Sequence, residues 1–188
     1  YPGHAEQIMH AFWGVGQMSF VKHAIFVDQD APELPSMEVI PYILNRFTSE
    51  NMLISRGVID ALDHSSPKFA VGGKLGVDCT GDEVDESGIE VLEDTVLLEK
   101  MQNISKDIKG LKQYYKDTKS PIVVVTVEKN RSQKHLIEEV KTLFNHIKIL
   151  VIIDEKNNDL ENAYMLVWRV VNNIDSNRDL YIDGQTVS

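Results

Sequence analysis

Three observations predict an α/β fold, a mostly parallel sheet with flanking helices. Residues 122–127 (Ile-Val-Val-Val-Thr-Val) and 149–153 (Ile-Leu-Val-Ile-Ile) are unbroken β-branched and aliphatic runs, as strands buried on both faces require. Between them Leu136, Ile137, Val140, Leu143 and Phe144 recur at helical spacing behind Ser132 as N-cap. A further helix over residues 160–174, with Leu160, Tyr164, Val167, Trp168 and Val171 as its buried stripe, precedes a strand at 180–182. The order strand, helix, strand, helix, strand implies parallel strands joined by right-handed crossovers.

Upstream, His23–Val27 is a short apolar strand whose carboxyl end carries Asp28 and Asp30. A helix follows over residues 36–47, with Ser36 as N-cap and Ile40, Ile43, Leu44 and Phe47 at i, i+3, i+4 and i+7. Pro41 costs that helix one hydrogen bond. Residues 52–54 read as a short strand, and Gly72-Gly73-Lys74 as a turn. Met101, Ile104, Ile108, Leu111 and Tyr115 form a helical stripe, with Lys100, Lys106, Lys109, Lys112 and Lys116 as its solvated side. From Asp82 to Glu99 every charged residue is acidic. Residues 84–99 therefore read as an acidic linker between a core at 1–83 and a second α/β unit at 100–188. That second unit reads as truncated, because Ser188 follows the Asp183-Gly184 turn with no closing element. An internal echo joins the two: Lys22, Val27, Asp28, Leu34, Tyr42 and Asn51 match Lys148, Ile153, Asp154, Leu160, Trp168 and Asn177 at a constant offset of 126, so the chain reads as two related strand-helix-strand units.

The 188 residues carry a net charge of −10, which argues against a nucleic-acid binder, since that would need a basic face. No apolar run approaches the roughly 20 residues of a transmembrane helix. Cys79 is the sole cysteine, so neither an internal disulfide nor a thiolate metal cluster forms, and a reducing, cytoplasmic setting is the default. Opening on Tyr1-Pro2-Gly3, without initiator Met or leader, the chain reads as an excised piece.

Candidate site residues follow from the same pass. Asp28 and Asp30 could hold a divalent cation or cap the next loop. Arg46 could pair with Asp60 or Asp63, or reach across a subunit boundary. Gly72-Gly73-Lys74 lacks the spacing and the Ser or Thr of a Walker loop, and no set of histidines has metal-ligand spacing. By residue type alone, Lys22 flanks a strand and lays its stem on apolar surface. The block Ile8, Met9, Phe12, Trp13, Val15 and Met18 holds more apolar side chains than one short helix needs, which suits a subunit or domain interface.

Several segments together resemble UbiD decarboxylases. They are Tyr1-Pro2-Gly3-His4, Phe12-Trp13-Gly14, the strand Val21-Lys22-His23-Ala24-Ile25-Phe26-Val27-Asp28 with Asp30, and Asn45-Arg46-Phe47. Two later blocks, Ile59 to Pro67 and Gly72 to Thr80, follow in the same order. The resemblance covers residues 1 to about 83 and implies the C-terminal oligomerisation and cofactor-capping domain of an aromatic acid carboxy-lyase that uses prenylated FMN. In that family a lysine just before the first strand contacts the flavin phosphate, and Lys22 occupies the matching position. The catalytic Glu-Arg-Glu set and the divalent metal (Mn or Mg) belong to an upstream flavin-binding domain. The resemblance therefore implies no catalytic residue and no metal ligand in this chain, an inactive isolated piece, and a homo-oligomer. The Lys-His-Ala-Ile-Phe-Val-Asp wording is similar to the menaquinone (futalosine) branch, whose implied substrate is a dihydroxynaphthoate. Gln29 and Pro41 depart from the ubiquinone branch. The competing reading is a non-catalytic α/β module that binds a ligand or a partner at its strand ends.

Overall fold

The computed structural model describes residues 1, 3–85, 87–128 and 133–188. Along the chain the elements are α1 (His4–Gly14), β1 (His23–Val27), α2 (Val39–Leu44), β2 (Met52–Val58), β3 (Val71–Cys79), α3 (Asp94–Ile104), β4 (Ile108–Tyr114), β5 (Ile122–Val127), α4 (Gln133–Val140), β6 (Ile149–Asp154), α5 (Ala163–Asn173), α6 (Ser176–Asp179), β7 (Ile182–Asp183) and β8 (Thr186–Val187). They divide into two compact units, Tyr1–Val84 with Trp168–Leu180, and Asp85–Val167 with Tyr181–Ser188. Among the described residues no helix is long and apolar enough to cross a membrane.

The fold is α/β as expected, but its parallel character is partial. In the first unit the sheet order is β1-β3-β2, with β1 parallel to β3 and β2 antiparallel to it. The second unit holds the order β4-β5-β6-β8-β7. There β5, β6 and β8 are parallel, while β4 and β7 run antiparallel to their neighbours. Connection length explains the mixture, since a parallel pair needs a crossover of about a dozen residues or more. The helix-bearing link from β5 to β6 supplies one. The turn between β7 and β8, with Gly184 at φ 56°, can only reverse the chain.

Both continuous apolar runs became strands, but only the first is buried nearly throughout; in β6 Leu150 alone is buried and its neighbours are half-exposed. Every residue of β5 after Ile122 is buried, because β5 lies between β4 and β6 with helices over the sheet. Val123, Val125, Leu150, Leu97, Met101, Leu136 and Val140 share one core cluster, where each side chain contributes about 1.5–3 kcal/mol by leaving water. Helix α4 is followed by a 3-10 turn over Lys141–His146, and its expected cap, Ser132, lies outside the described residues.

Four expectations are corrected. The stripe from Met101 to Tyr115 is helix only to Ile104, and Ile108–Tyr114 is strand β4. A β-bulge between Ile108 and Gly110 sets buried Ile108 three residues from buried Leu111, so a strand mimics helical spacing. Helix α2 begins at Val39 rather than at Ser36. Pro41 thus falls in the first turn, where N–H groups have no intrahelical acceptor, and costs nothing. In α5 only Leu166 is buried, while Tyr164, Val167, Trp168 and Val171 are exposed; the helix is apolar on two sides, and periodicity does not say which one packs. Finally, the stretch after the Asp183-Gly184 turn, expected to hold no further element, contains the two-residue strand β8, which pairs with β6.

Helix α6 packs directly on the central strand of the first unit. A Cβ on Gly73 would lie 2.7 Å from the Ser176 amide nitrogen and 2.8 Å from that of Asn177. Backbone cannot yield as a side-chain tip does, so Gly73→Ala is expected to lower stability by about 1–3 kcal/mol. Urea unfolding measures this; an unchanged midpoint would mean that α6 is not packed on β3 in solution.

Candidate functional site

The titratable cluster of the first unit gathers around β1 and β3. Lys22 stands just before β1, and its carbonyl accepts the Leu75 N–H at 2.8 Å, fixing it beside β3. Its Nζ lies 2.8 Å from Asp63 Oδ2 and donates to Ser65 Oγ at 2.8 Å. Ser65 in turn donates from Oγ to Asp63 Oδ1 at 2.5 Å and from its backbone N–H to the same oxygen at 2.8 Å. The three side chains form a closed triangle. An Asx turn, the Asp-x-Ser spacing of residues 63–65, shapes it locally. The Lys22 and Asp63 side chains keep only 13% and 15% exposure.

Beneath the triangle lies a lysine that sequence reading missed. Gly72-Gly73-Lys74 is not a turn; all three residues belong to β3. Lys74 has no exposed surface, and its Nζ donates to the carbonyls of Ser19, at 2.5 Å, and Val21, at 2.9 Å. Burial, helped by the Lys22 charge and opposed by Asp63, pulls the Lys74 ammonium down to about 8. Burial pushes the Asp63 carboxyl upward, but hydrogen bonds from Lys22 and Ser65 outweigh it and hold the group at about 2. His23 is lowered chiefly by burial. Arg178 of α6 completes the cluster: Nη1 donates to the Ser65 carbonyl at 2.9 Å, while Nε and Nη2 grip Asp179 at 2.6 Å each. Neither residue left a sequence signal: the alternation of Val71, Leu75 and Val77 sets Lys74 on the opposite face from those apolar side chains, and Arg178 is 113 residues from Ser65.

The other candidates find separate partners. Asp28 Oδ2 accepts the Gly81 N–H at 2.6 Å and Asp30 Oδ1 accepts the Tyr42 hydroxyl at 3.1 Å, so both act as hydrogen-bond acceptors for neighbouring segments. Arg46 pairs with neither Asp60 nor Asp63. It lies 3.4 Å from Glu83, donates to the Gly81 and Tyr42 carbonyls and stacks on the Tyr42 ring at 3.6 Å. Asp60 is instead occupied by the Leu62 N–H. Cys79 is fully buried, and burial pushes its thiol up to about 12, leaving it inert at neutral pH. In the apolar first block Met9 is buried against Gly76 and Phe12 meets Phe26, while Val15 and Met18 stay exposed. Among the described residues no group of three or more His, Cys, Asp or Glu is placed to hold a metal ion.

Residues 1–79 match the family model of the 3-octaprenyl-4-hydroxybenzoate carboxy-lyase (UbiD) C-terminal domain. The matched stretch contains Lys22, Asp63, Ser65 and Lys74. Uncharacterised proteins of two Helicobacter pylori strains are each 52% identical over 184 residues, 96% of this chain. An uncharacterised Archaeoglobus fulgidus protein is 35% identical over 82 residues, 43% of the chain and 17% of that protein. The chain spans 29% of the length of the Helicobacter relatives. A solved structure, an evolved dimeric form of the UbiD-class enzyme HmfF from Pelotomaculum thermopropionicum in complex with prFMN, superposes with a TM-score of 0.43 at 12% identity, covering 73% of this chain and 38% of that one.

The charge states give a pH signature. Lys74 has a lowered folded pKa of about 8, so the unfolded chain holds that proton up to roughly 10.4. Stability from this group therefore rises as pH climbs from about 8 to about 10.4. The unaltered protein should gain stability over that window relative to Lys74→Met, read as the difference between denaturant titrations; parallel profiles would show that Lys74 is solvated. For Asp63 the window is acidic: its contribution is complete above roughly 3.9 and is lost as pH falls through about 2. Asp63→Asn should flatten that acid limb, and an unchanged acid midpoint would remove the ion pair with Lys22.

Proposed function

We propose that this chain is the C-terminal part of a prenylated-FMN-dependent aromatic acid decarboxylase. In this reading it caps the cofactor and joins subunits, and the substrate is a dihydroxynaphthoate of menaquinone synthesis in the cytoplasm. Along the sequence, residues 1–83 are read as the family core, 84–99 as an acidic join running into α3 and 100–188 as a second α/β segment, of which Trp168–Leu180 belongs to the first compact unit. The observation that carries the proposal is the UbiD C-terminal family match over residues 1–79, which includes the strand that Lys22 introduces. The menaquinone branch rests on the Lys22 to Asp28 wording and on the long second α/β unit.

The residues present suit the phosphate end of the flavin. An ammonium has three donors, and Lys22 directs two of them to Asp63 and Ser65. The third remains for a phosphate oxygen, while the triangle fixes the direction of the side chain in advance. When bound, prenylated FMN supplies the electron sink for loss of CO2. This chain's share is to hold the phosphate with Lys22, to orient that lysine with Asp63 and Ser65, and to keep water out. The metal and the acid-base carboxylates are assigned to the upstream flavin-binding domain, as the family resemblance implies. Apolar side chains left in water, such as Val15, Leu62 and Phe69, support subunit or domain contact.

The test is the full-length protein reconstituted with prenylated FMN and assayed for CO2 release from dihydroxynaphthoate, with Lys22→Ala beside it. Turnover is expected, with cofactor retention in the variant at least about ten-fold weaker, as the loss of one charged hydrogen bond implies. A parent that never retains flavin would sink the decarboxylase reading. A variant that retains flavin normally would remove only the role of Lys22.

A further inference from the structure

A cavity of about 210 Å³ opens in the first unit, lined by residues of β2, the β2–β3 loop, β3 and α6. Its charged lining is Arg56, Lys68, Arg178 and Asp175. Cations thus outnumber acids there, in a chain whose net charge is −10. Asp175 is 4% exposed and committed: Oδ2 accepts the Gly73 N–H and Oδ1 the Asn177 N–H, each at 3.0 Å. Arg178 is partly neutralised by Asp179. Arg56 and Lys68 differ from both. Among the described residues neither makes a side-chain hydrogen bond or ion pair, whereas Lys22, Arg46, Lys74, Lys112, Lys116, Lys141 and Lys148 all do.

We infer that this cavity binds a small oxyanion, a phosphate group held between Arg56 and Lys68, with Arg178 as a rigid third wall. A guanidinium and an ammonium on two residues lining one cavity suit a tetrahedral dianion by charge and by the donors they carry. Asn177 and Ser66 add neutral polar groups to the lining. Arg178 cannot swing away, because it is anchored on the Ser65 carbonyl and on Asp179. Size sets the ligand class. At about 210 Å³ the space is smaller than the roughly 300–1,000 Å³ of pockets that enclose whole drug-sized ligands, so it takes inorganic phosphate or the phosphate of a small monoester. The site differs from that proposed for the flavin phosphate, since Lys22 is not among its lining residues, and it does not rest on the decarboxylase reading.

The test is calorimetric titration of the full-length protein in chloride buffer with inorganic phosphate and, separately, with glycerol phosphate. Unaltered protein, Arg56→Gln/Lys68→Gln and Lys22→Ala are compared. The double variant should fold normally, as neither side chain holds a structural bond; Lys68→Gln alone replaces it if it does not. Saturable binding is expected in the unaltered and Lys22→Ala proteins, weakened at least about ten-fold in the double variant. Tighter binding of glycerol phosphate would identify a phosphomonoester as the ligand, and equal binding free phosphate; both support the site. No saturable binding, binding undiminished in the double variant, or binding lost in Lys22→Ala would each overturn it.

Discussion

A charge with no exposed surface must be satisfied inside the protein, and in the first unit that charge is the Lys74 ammonium. It sits on the central strand β3 and is held by the carbonyls of Ser19 and Val21. Leaving it unpaired would cost several kcal/mol, so the segment leading into β1 has to lie across β3. That placement brings Lys22 alongside, and Lys22 brings a second positive charge, which helps depress Lys74. Asp63 counters both. The loop carrying Asp63 and Ser65 is thereby pinned over the sheet, and Arg178 clamps it from α6 through the Ser65 carbonyl. The candidate phosphate contact, the loop and the α6 clamp all follow from one buried cation.

The second unit depends on a different kind of force. Its core is β5 and the helices over it, a nonpolar cluster around Val123, Val125 and Leu150. Lys148 offers an instructive parallel with Lys22. Each stands one residue before a strand that pairs in parallel fashion, β1 or β6, and helices α2 and α5 follow at corresponding positions. Lys148, however, is capped by the Ser87 carbonyl and by Gln185 Oε1, and among the described residues no carboxylate pairs with it. The same order of elements therefore carries an ion-paired lysine in one unit and a lysine bonded to neutral groups in the other.

The candidate site was legible in part. Lys22 could be singled out because family wording surrounds it, and its partners Asp63 and Ser65 lie in a block that carries the same resemblance. Their convergence on one ammonium could not be read, since 43 residues separate Lys22 from Ser65 and only the pairing of β1 with β3 brings them together. Arg46 shows the opposite failure. Asp60 and Asp63 were the acids expected for it, yet the turn of residues 80–84 supplies Glu83 and the Gly81 carbonyl instead.

By itself the sequence determined the α/β class, the strands at 122–127 and 149–153 and the helix between them. Each of these is written in local hydrophobic periodicity, which needs no knowledge of neighbours. Tertiary structure decided the rest: the antiparallel edges, the strand hidden behind a β-bulge at Ile108, the side on which α5 packs and the inward Lys74. Those features depend on which segments become adjacent, and adjacency is fixed by strand pairing and by the satisfaction of buried charge.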